Sequence, residues 1–325
     1  MVPSAAVEAG TGPDRSRFAD GVASVLGHLR THHPMTLWGV TRVEDGAQTH
    51  LHLPENGYGL LVGDRMPWSD TLCRHMVDGQ APRVAPDTAL VPAYRDAPAA
   101  RELSIQAYAG VPIREPDGTL FGVLCGLDRR PQPDLDDLAP LLELLRGLLG
   151  HLLATERELE EAGRLAVSAV AGAETDALTG LLNRRGWDRA VARAQRRLTG
   201  LGDPSVVVVA DLDGFKRVND ELGHGGGDRH LVRAAAALRA AARPQDAVAR
   251  LGGDEFGVLL TGFPGTGAAA QVAVLSEALA AVGVPASFGC SAVRVGGDLV
   301  TALALADSAM YAHKRGRRAA PAGAS

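Results

Sequence analysis

The stretch RLGGDEFGVLL, residues 250–260, has the pattern of a buried β-hairpin with two acids at its turn. Apolar runs on both sides predict two paired strands, and Gly252 and Gly253 supply the positive-φ positions of a tight turn. Asp254 and Glu255 then lie side by side where the sheet meets solvent. Neighbouring carboxylates repel each other unless they share a cation. The hairpin therefore predicts a cation-binding edge of a sheet.

A second strand delivers acids in the same manner. Residues 203–220, DPSVVVVADLDGFKRVND, read as a turn, a β-branched strand and a loop that enters a helix. Asp211 and Asp213 stand where that strand ends, so Asp211 and Asp254 meet at one sheet edge if the two strands are neighbours. Oxygen-only ligands favour Mg²⁺ or Mn²⁺ over zinc, and Mg²⁺ prefers a few carboxylates together with water and substrate phosphate. A nucleoside triphosphate is the expected substrate.

The composition of the chain is that of an ordinary globular protein. Its 325 residues are enough for two domains, and the charged fraction of 22% and apolar fraction of 46% are typical. A net charge of −5 argues against a dedicated nucleic-acid binder, which is usually basic. The N-terminus lacks the apolar segment of a signal peptide, and the most apolar stretch, residues 138–153, is too short to span a bilayer. We therefore expect a cytoplasmic protein without membrane insertion.

The N-terminal part of the chain has the features of a sensor domain behind a short tail. Residues 1–14 are small and polar and are expected to be disordered. Strands, turns and helices alternate over residues 15–137, and GVPIREPDGTLFGVLCGLD (residues 110–128) reads as strand, turn, strand. This hairpin resembles that of GAF domains, small-molecule sensors in which helices back an antiparallel sheet, and implies an unidentified small ligand. Cys125 on its core strand is interpreted as a small hydrophobe and not as a redox sensor, since the three cysteines form no disulfide framework.

A heptad pattern follows this domain. Residues 138–175 read as a helical linker in which apolar residues repeat at two heptad positions, as in the a/d seam of a coiled coil. The pattern favours a parallel homodimer, and the alternative is a single helix packed on its own domain. The seam consists of Leu138, Leu145, Leu152 and Leu159 at one position and Leu141, Leu148, Thr155, Ala162 and Ala169 at the other.

Six motifs follow in order between residues 176 and 318: DALTGLLNRR, DLDGFKRVND, ELGHGGGD, RLGGDEF, SFG and ADSAMYAHKRGR. Together they resemble the GGDEF domain of diguanylate cyclases. The resemblance implies a palm-like, ferredoxin-like domain similar to nucleotide cyclases, so the expected fold class is α+β. It also implies the reaction, in which two GTP molecules on two apposed domains become cyclic di-GMP and two pyrophosphates. Residues 319–325 are expected to be a disordered tail.

The chemistry of that reaction accounts for the acids. The 3′-hydroxyl of one GTP attacks the α-phosphate of the other in line, which needs two metal ions or an equivalent clamp. By resemblance, Asp211, the backbone carbonyl of Leu212 and Asp254 hold Mg²⁺ or Mn²⁺, with two ions expected in each site. Asp254 is also the implied proton acceptor, and Glu255 assists at the metals.

The resemblance places substrate contacts on the helix that follows the acid-bearing strand. Asn219 and Asp228 match the pair that reads guanine, and both side-chain types suit that edge of the base. Lys216 matches the lysine that contacts phosphate and stabilises charge in the transition state. His224 matches a position near the ribose and phosphates, or it caps the helix.

The C-terminal phosphate motif departs from the family pattern. The family reads Lys-x-x-Gly-Arg, whereas YAHKRGRR has one residue fewer between Lys314 and Gly316. Counting from Tyr311 makes Lys314 the phosphate lysine and puts Arg318 at the position of the arginine. Counting back from Gly316 puts His313 in place of the lysine. Both lysines of the chain fall in the phosphate motifs, which favours the first register.

A separate motif, RPQD, lies just upstream of the hairpin. Arg243 and Asp246 match the Arg-x-x-Asp motif for product inhibition, because Arg binds phosphate and stacks on guanine while Asp accepts from guanine N–H groups. The alternative is a surface ion pair, which contributes little. The leading function is an active diguanylate cyclase inhibited by its product. The alternative function is a catalytically silent receptor of cyclic di-GMP.

Overall fold

The structure, a computed structural model, describes residues 16–169, 174–263 and 265–319. It contains two α+β domains, each built on one antiparallel sheet, and this confirms the expected fold class. The predicted N-terminal tail, part of the predicted linker and most of the predicted C-terminal tail lie outside the described residues.

From residue 16 to residue 169, the N-terminal domain contains six strands and five helices, with short 3₁₀ turns between them. In chain order the elements are α1 (Arg17–His32), β1 (Leu37–Glu44), β2 (Ala47–His52), β3 (Arg65–Pro67), α2 (Leu72–Val77), β4 (Val84–Ala85), α3 (Pro92–Arg95), α4 (Pro98–Glu102), β5 (Ala107–Arg114), β6 (Leu120–Asp128) and α5 (Ala139–Ala169).

Helices cover both faces of this sheet, whose strand order is β3-β2-β1-β6-β5-β4. On one face α1 and α5 pack against the strands, and Phe18 meets Phe121 edge-on with ring centroids 5.3 Å apart. On the other face the short helices α2, α3 and α4 pack around Tyr94 and Tyr108. Successive strand residues point to opposite faces, so the central strands β5 and β6 are buried on both sides.

The long helix α5 exposes only part of the predicted seam. Leu145 of the seam is buried in the core of the N-terminal domain, as is Leu138 just before the helix, together with Leu142, Leu149 and Leu153. Over this part of the helix the periodic leucines cover the protein's own sheet, which corrects the predicted seam in favour of the alternative. The large apolar side chains that the described part of α5 exposes are Leu144 and two members of the predicted seam, Leu148 and Leu159.

The C-terminal domain alternates helices and strands in the order of a ferredoxin-like βαββαβ unit after one leading helix. Its sheet has the strand order β10-β7-β9-β8. In the described part of the chain, neither domain has a helix with the length and apolarity needed to cross a bilayer. The elements are α6 (Arg184–Leu201), β7 (Ser205–Leu212), α7 (Phe215–Ala241), β8 (Ala247–Gly252), β9 (Glu255–Thr261), α8 (Ala268–Ala281), β10 (Ala286–Val293) and α9 (Leu299–Ala319).

The predicted hairpin is present with a shifted turn. Strand β8 pairs with β9 so that Gly252 stands opposite Glu255. Gly252 is therefore a strand residue, and the turn consists of Gly253 and Asp254. Gly253 has a φ of +44°, whereas Gly252 does not adopt a positive φ. The expectation of two positive-φ glycines is wrong for Gly252.

Charges around one buried carboxylate join the two domains. Arg157 on α5 donates to Glu115, just after β5, at 2.8 Å and to Asp203, just before β7, at 2.5 Å. Arg197 on α6 donates to the same Asp203 carboxylate at 2.7 Å. Burial opposes the charge of Asp203, but the hydrogen bonds from Arg157 and the attraction of Arg197 outweigh burial and lower its pKa. We call these four residues the interdomain charge cluster.

Replacing Arg157 by methionine is expected to lower the free energy of unfolding by about 2 kcal/mol, because the change removes charged hydrogen bonds from Glu115 and from the buried Asp203 carboxylate, which keeps Arg197 as a partner. Urea unfolding followed by circular dichroism measures the loss. Arg146→Met is the matched control, since Arg146 pairs with Glu143 near the surface and such pairs contribute at most about 1 kcal/mol. Equal stability of the two variants would contradict a stabilising role for the cluster.

Candidate functional site

Strand pairing brings the acids of two segments to one edge of the C-terminal sheet. Strand β7 lies beside β9, and Asp211 stands opposite Glu255. The Leu212 N–H donates to the backbone oxygen of Asp254 at 3.1 Å, so the hairpin turn lies beside the end of β7. Asp211 is 7% exposed, whereas Glu255 faces solvent. Three of the predicted site residues thus meet at what we call the carboxylate edge: Asp211, Asp254 and Glu255.

The carboxylate edge gathers a fourth acid that the sequence analysis did not single out. Partial burial raises the pKa of Glu255, and the charges of Asp211, Asp307 and Asp254 raise it further. Asp307 comes from α9 and lies two helical turns before Lys314, so both side chains project from one face of that helix. This helical spacing from a predicted phosphate lysine is the sequence signal that identifies Asp307.

Lys314 points at the carboxylate edge, with its Nζ 2.5 Å from Oδ1 of Asp211. Close packing of α9 on β10 permits this contact: a Cβ at Gly289 would lie 2.1 Å from a backbone oxygen of α9, so a side chain there would push the helix away. The neighbouring His313 instead contacts the backbone of β10, where an N–H lies 3.1 Å from its Nδ1. This arrangement supports Lys314 as the phosphate lysine. The side chain of Arg318 lies outside those described.

The carboxylate edge has the chemistry of an open cation site. Within the described ranges, no three acidic, histidine or cysteine side chains cluster closely enough to hold a metal ion by themselves. Mg²⁺ does not require such a cage, because it keeps water ligands and binds substrate phosphate. The Lys314 ammonium contacts Asp211, and acidic neighbours add to the effect of burial in raising the pKa of Glu255. Both observations indicate an excess of negative charge at this edge. Asp211, Asp254 and the Leu212 carbonyl therefore fit a divalent cation that arrives with a nucleotide.

The predicted nucleotide contacts lie on α7, which begins directly after the acid-bearing strand. Lys216, His224 and Asp228 are exposed, and Asn219 is half-buried. The Asn219 side chain folds over Gly227, where a Cβ would approach its Oδ1 to 1.9 Å. Asn219 therefore lies against the residue that precedes Asp228, its predicted partner in guanine recognition.

The Arg243–Asp246 pair differs from an ordinary surface ion pair. Nε and Nη2 of Arg243 donate to the two carboxylate oxygens of Asp246 at 2.9 and 2.6 Å, and the Asp246 side chain is fully buried. The Arg243 guanidinium also lies over the ring of Phe263, 4.8 Å from its centre. Since both oxygens of Asp246 are engaged, recognition of guanine by Asp246 would require Arg243 to move.

A cavity of about 500 Å³ opens beside this pair, between α5, α6 and the β8–β9 hairpin. Burial lowers the pKa of the Arg193 guanidinium, and the charges of Arg196 and Arg197 lower it further. The cavity therefore concentrates positive charge, which the Arg-x-x-Asp motif alone does not reveal. We call it the arginine pocket, and its charged lining consists of Arg157, Arg193, Arg197, Arg243, Glu160 and Glu161.

Comparison with known proteins agrees with both halves of this structure. Residues 173–320 match the family described as diguanylate cyclase, GGDEF domain, and residues 16–156 match the GAF domain family. The chain is 28% identical over 222 residues to diguanylate cyclase DgcP of Escherichia coli K12, covering 67% of this chain and 64% of that protein. It is 38% identical over 132 residues to diguanylate cyclase TpbB of Pseudomonas aeruginosa, covering 41% of this chain and 30% of that protein.

A further relative is an uncharacterised protein of Streptomyces griseus, 33% identical over 213 residues, which are 63% of this chain and 86% of that protein. The chain thus spans two thirds or less of the two named cyclases and most of the third relative. The structure joins a domain with helices on both faces of its antiparallel sheet to a palm-like domain that carries the carboxylate edge. In particular, the C-terminal domain belongs to the GGDEF family of diguanylate cyclases, and the N-terminal domain belongs to the GAF family.

In the absence of nucleotide, Lys314→Ala is expected to tighten Mn²⁺ binding up to about fivefold, because ion pairing worth at most about 1 kcal/mol no longer competes for Asp211. Electron paramagnetic resonance of free Mn²⁺ measures the affinity. His313→Ala is the control and should leave it unchanged, since His313 contacts β10. Unaltered affinity in Lys314→Ala would place the Mn²⁺ site away from Asp211.

Proposed function

We propose that this chain is a diguanylate cyclase that condenses two GTP molecules into cyclic di-GMP and two pyrophosphates. The observation that carries the proposal is the carboxylate edge, where Asp211, Asp254 and Glu255 converge with Lys314 beside them. The relatives named diguanylate cyclases support it. GTP is the proposed substrate, and the GAF domain is proposed to regulate turnover through a small ligand of unidentified chemistry.

Each group at the edge has a role in this reaction. Divalent cations, Mg²⁺ or Mn²⁺, would activate the attacking 3′-hydroxyl and neutralise the leaving pyrophosphate. Asp211, Asp254 and the backbone carbonyl of Leu212 are the proposed ligands. Asp254 also takes the proton of the hydroxyl. The exposed Glu255 assists at the cations, because its carboxylate has three acidic neighbours whose repulsion a cation relieves.

Two lysines and two polar side chains position the nucleotide. Lys216 reaches the phosphates from the first turn of α7, and Lys314 exchanges Asp211 for phosphate oxygens when nucleotide binds. A lysine ammonium is a compact charge on a flexible stem, which suits this exchange better than the planar arginine fork. Asn219 and Asp228 read the guanine from adjacent positions.

One carboxylate edge holds one GTP, so turnover needs two chains with their edges apposed. We infer a homodimer that α5 helps to form. The exposed leucines Leu144, Leu148 and Leu159 fall on one stripe of the helix. Leu148 and Leu159 belong to the predicted seam, whereas Leu145 is buried in its own domain. Holding two GTP molecules at a fixed distance converts an encounter between two molecules into a step within one complex.

The arginine pocket is proposed to bind the product. Cyclic di-GMP carries two phosphates, and arginine binds phosphate in a bidentate manner and stacks on bases. Arg193 is the side chain best placed for this role, because its pKa is lowered by burial and by arginine neighbours, so a nearby anion would relieve the repulsion. Arg243 would turn from Asp246 towards the ligand.

Asp254→Asn is expected to lower the rate of cyclic di-GMP formation by about 100-fold or more while leaving the fold intact, because it removes one charge from a site that stabilises developing charge. Pyrophosphate release and chromatography of the product measure the rate. Asp188→Asn, an exposed carboxylate on α6, is the matched control and should retain activity. If the wild-type protein binds cyclic di-GMP but releases no pyrophosphate from GTP, it is a silent receptor.

Arg193→Ala is expected to raise the cyclic di-GMP concentration needed for half-inhibition by about tenfold, which corresponds to one charge-assisted phosphate contact. Arg193 is preferred over Arg243 as the variant, because removing Arg243 would leave the buried Asp246 carboxylate unpaired. Arg101→Ala makes the same change of net charge at an exposed residue of α4 in the GAF domain and serves as the control. Identical inhibition curves for the wild type and Arg193→Ala would exclude the arginine pocket as the inhibitory site.

A further inference from the structure

Two cysteines meet inside the GAF domain, on the face of the sheet that α2, α3 and α4 cover. Cys125 lies on the central strand β6, opposite Gly39 of β1 and Gly110 of β5. Cys73 lies in the first turn of α2, and its thiol contacts that of Cys125. Both residues are buried, with exposures of 3% and 1%. The sequence separates them widely, so their contact is a product of the fold.

The glycines opposite Cys125 let larger side chains pack closely on this face of the sheet. A Cβ at Gly110 would lie 2.4 Å from the hydroxyl of Tyr108, so glycine makes room for that phenol beside the thiols. Tyr108 and Gln48 both lie against the sulfur of Cys73. Beyond these contacts with Cys73, neither the Tyr108 hydroxyl nor the Gln48 carbonyl oxygen has a hydrogen-bond partner among the described residues. The interior of the domain is therefore polar at this point, where an apolar core would be expected.

The two thiols have opposite tendencies to ionise. Hydrogen bonding from Cys125 lowers the pKa of Cys73 against the effect of burial, and contacts with Tyr108 and Gln48 lower it further. The same hydrogen bond with Cys73 raises the pKa of Cys125, and burial adds to the rise. Cysteines buried in apolar surroundings are inert because they stay protonated. Cys73 differs from them, because donors on several sides stabilise its thiolate.

We propose that Cys73 and Cys125 are a thiol–disulfide pair that hydroperoxides oxidise, with Cys73 as the reacting thiol and Cys125 as the resolving thiol. The Cys73 thiolate attacks one oxygen of the hydroperoxide, the O–O bond breaks, and Cys73 becomes a sulfenic acid while the other oxygen leaves as water or an alcohol. Cys125 then attacks that sulfur, the S–O bond breaks and water leaves. In total two thiols lose two electrons and two protons, and one hydroperoxide is reduced.

The oxidised bond would tie α2 to β6, the strand that pairs with both β1 and β5 at the centre of the sheet. The oxidant has to be small, because both sulfurs are shielded from solvent. Hydrogen peroxide meets this requirement, and tert-butyl hydroperoxide is a bulkier probe of the same chemistry. The two thiols lie in the GAF domain, and their oxidation is measured directly, so the result does not depend on cyclase activity.

The test uses the reduced full-length protein, treated with hydrogen peroxide while folded. The three cysteines of the chain should give three free thiols before treatment and one afterwards, counted after unfolding in the presence of a thiol reagent. Mass spectrometry of the non-reduced digest should find the peptides of Cys73 and Cys125 joined. In Cys125→Ser the reaction should stop at a sulfenic acid on Cys73, which dimedone traps. Tyr108→Phe should slow the loss of thiols by about tenfold, since one donor to the thiolate is removed.

Cys290 provides the matched control, because it is a half-buried cysteine in the other domain whose pKa is raised by burial. Cys290→Ser should still form the bond between Cys73 and Cys125. Retention of all three thiols in the folded wild type would overturn the proposal, and so would a bond that involves Cys290. A Cys125→Ser variant without a trapped sulfenic acid would overturn the assignment of Cys73 as the reacting thiol.

Discussion

Repulsion among carboxylates at one sheet edge is the constraint on which the functional half of this molecule depends. Pairing of β7 with β9 places Asp211 opposite Glu255 and the turn residue Asp254 beside them, and α9 adds Asp307. A protein that only had to fold would not concentrate these charges. The contact of Lys314 with Asp211 relieves part of the repulsion and leaves the rest for a cation that comes with the substrate. The cost in folding free energy and the capacity to bind a nucleotide therefore have the same origin.

Local signals in the sequence predicted this edge well. The hairpin follows from two apolar runs with a short turn, and the approach of Asp211 to Asp254 requires only that the two acid-bearing strands be neighbours. The α+β fold class follows from the same patterns. The helical spacing from Lys314 places Asp307 on the same face of α9, but its approach to the other acids depends on how closely α9 packs on β10. That approach depends on Gly289 of the SFG motif, and the motif alone does not show which helix packs there.

Contacts between distant segments could not be predicted in this way. The leucines of α5 repeat at intervals that suit a coiled coil and a helix packed on a sheet equally well. The fold decides between them by burying Leu145 and Leu149 against the GAF sheet and exposing Leu144 and Leu148. The spacing of apolar residues shows that a helix has an apolar face, but it does not identify the surface that covers that face.

The interdomain charge cluster and the arginine pocket share two side chains, Arg157 and Arg197. Both guanidinium groups hold the buried Asp203 carboxylate, and both also line the pocket beside Arg243. An anion in the pocket would act on the same positive charges that hold the two domains together. A guanidinium that turns towards the anion gives up contact with Asp203, whereas one that contacts both binds the anion and the domains at once. Occupancy of the pocket would therefore be coupled to domain association through these two arginines.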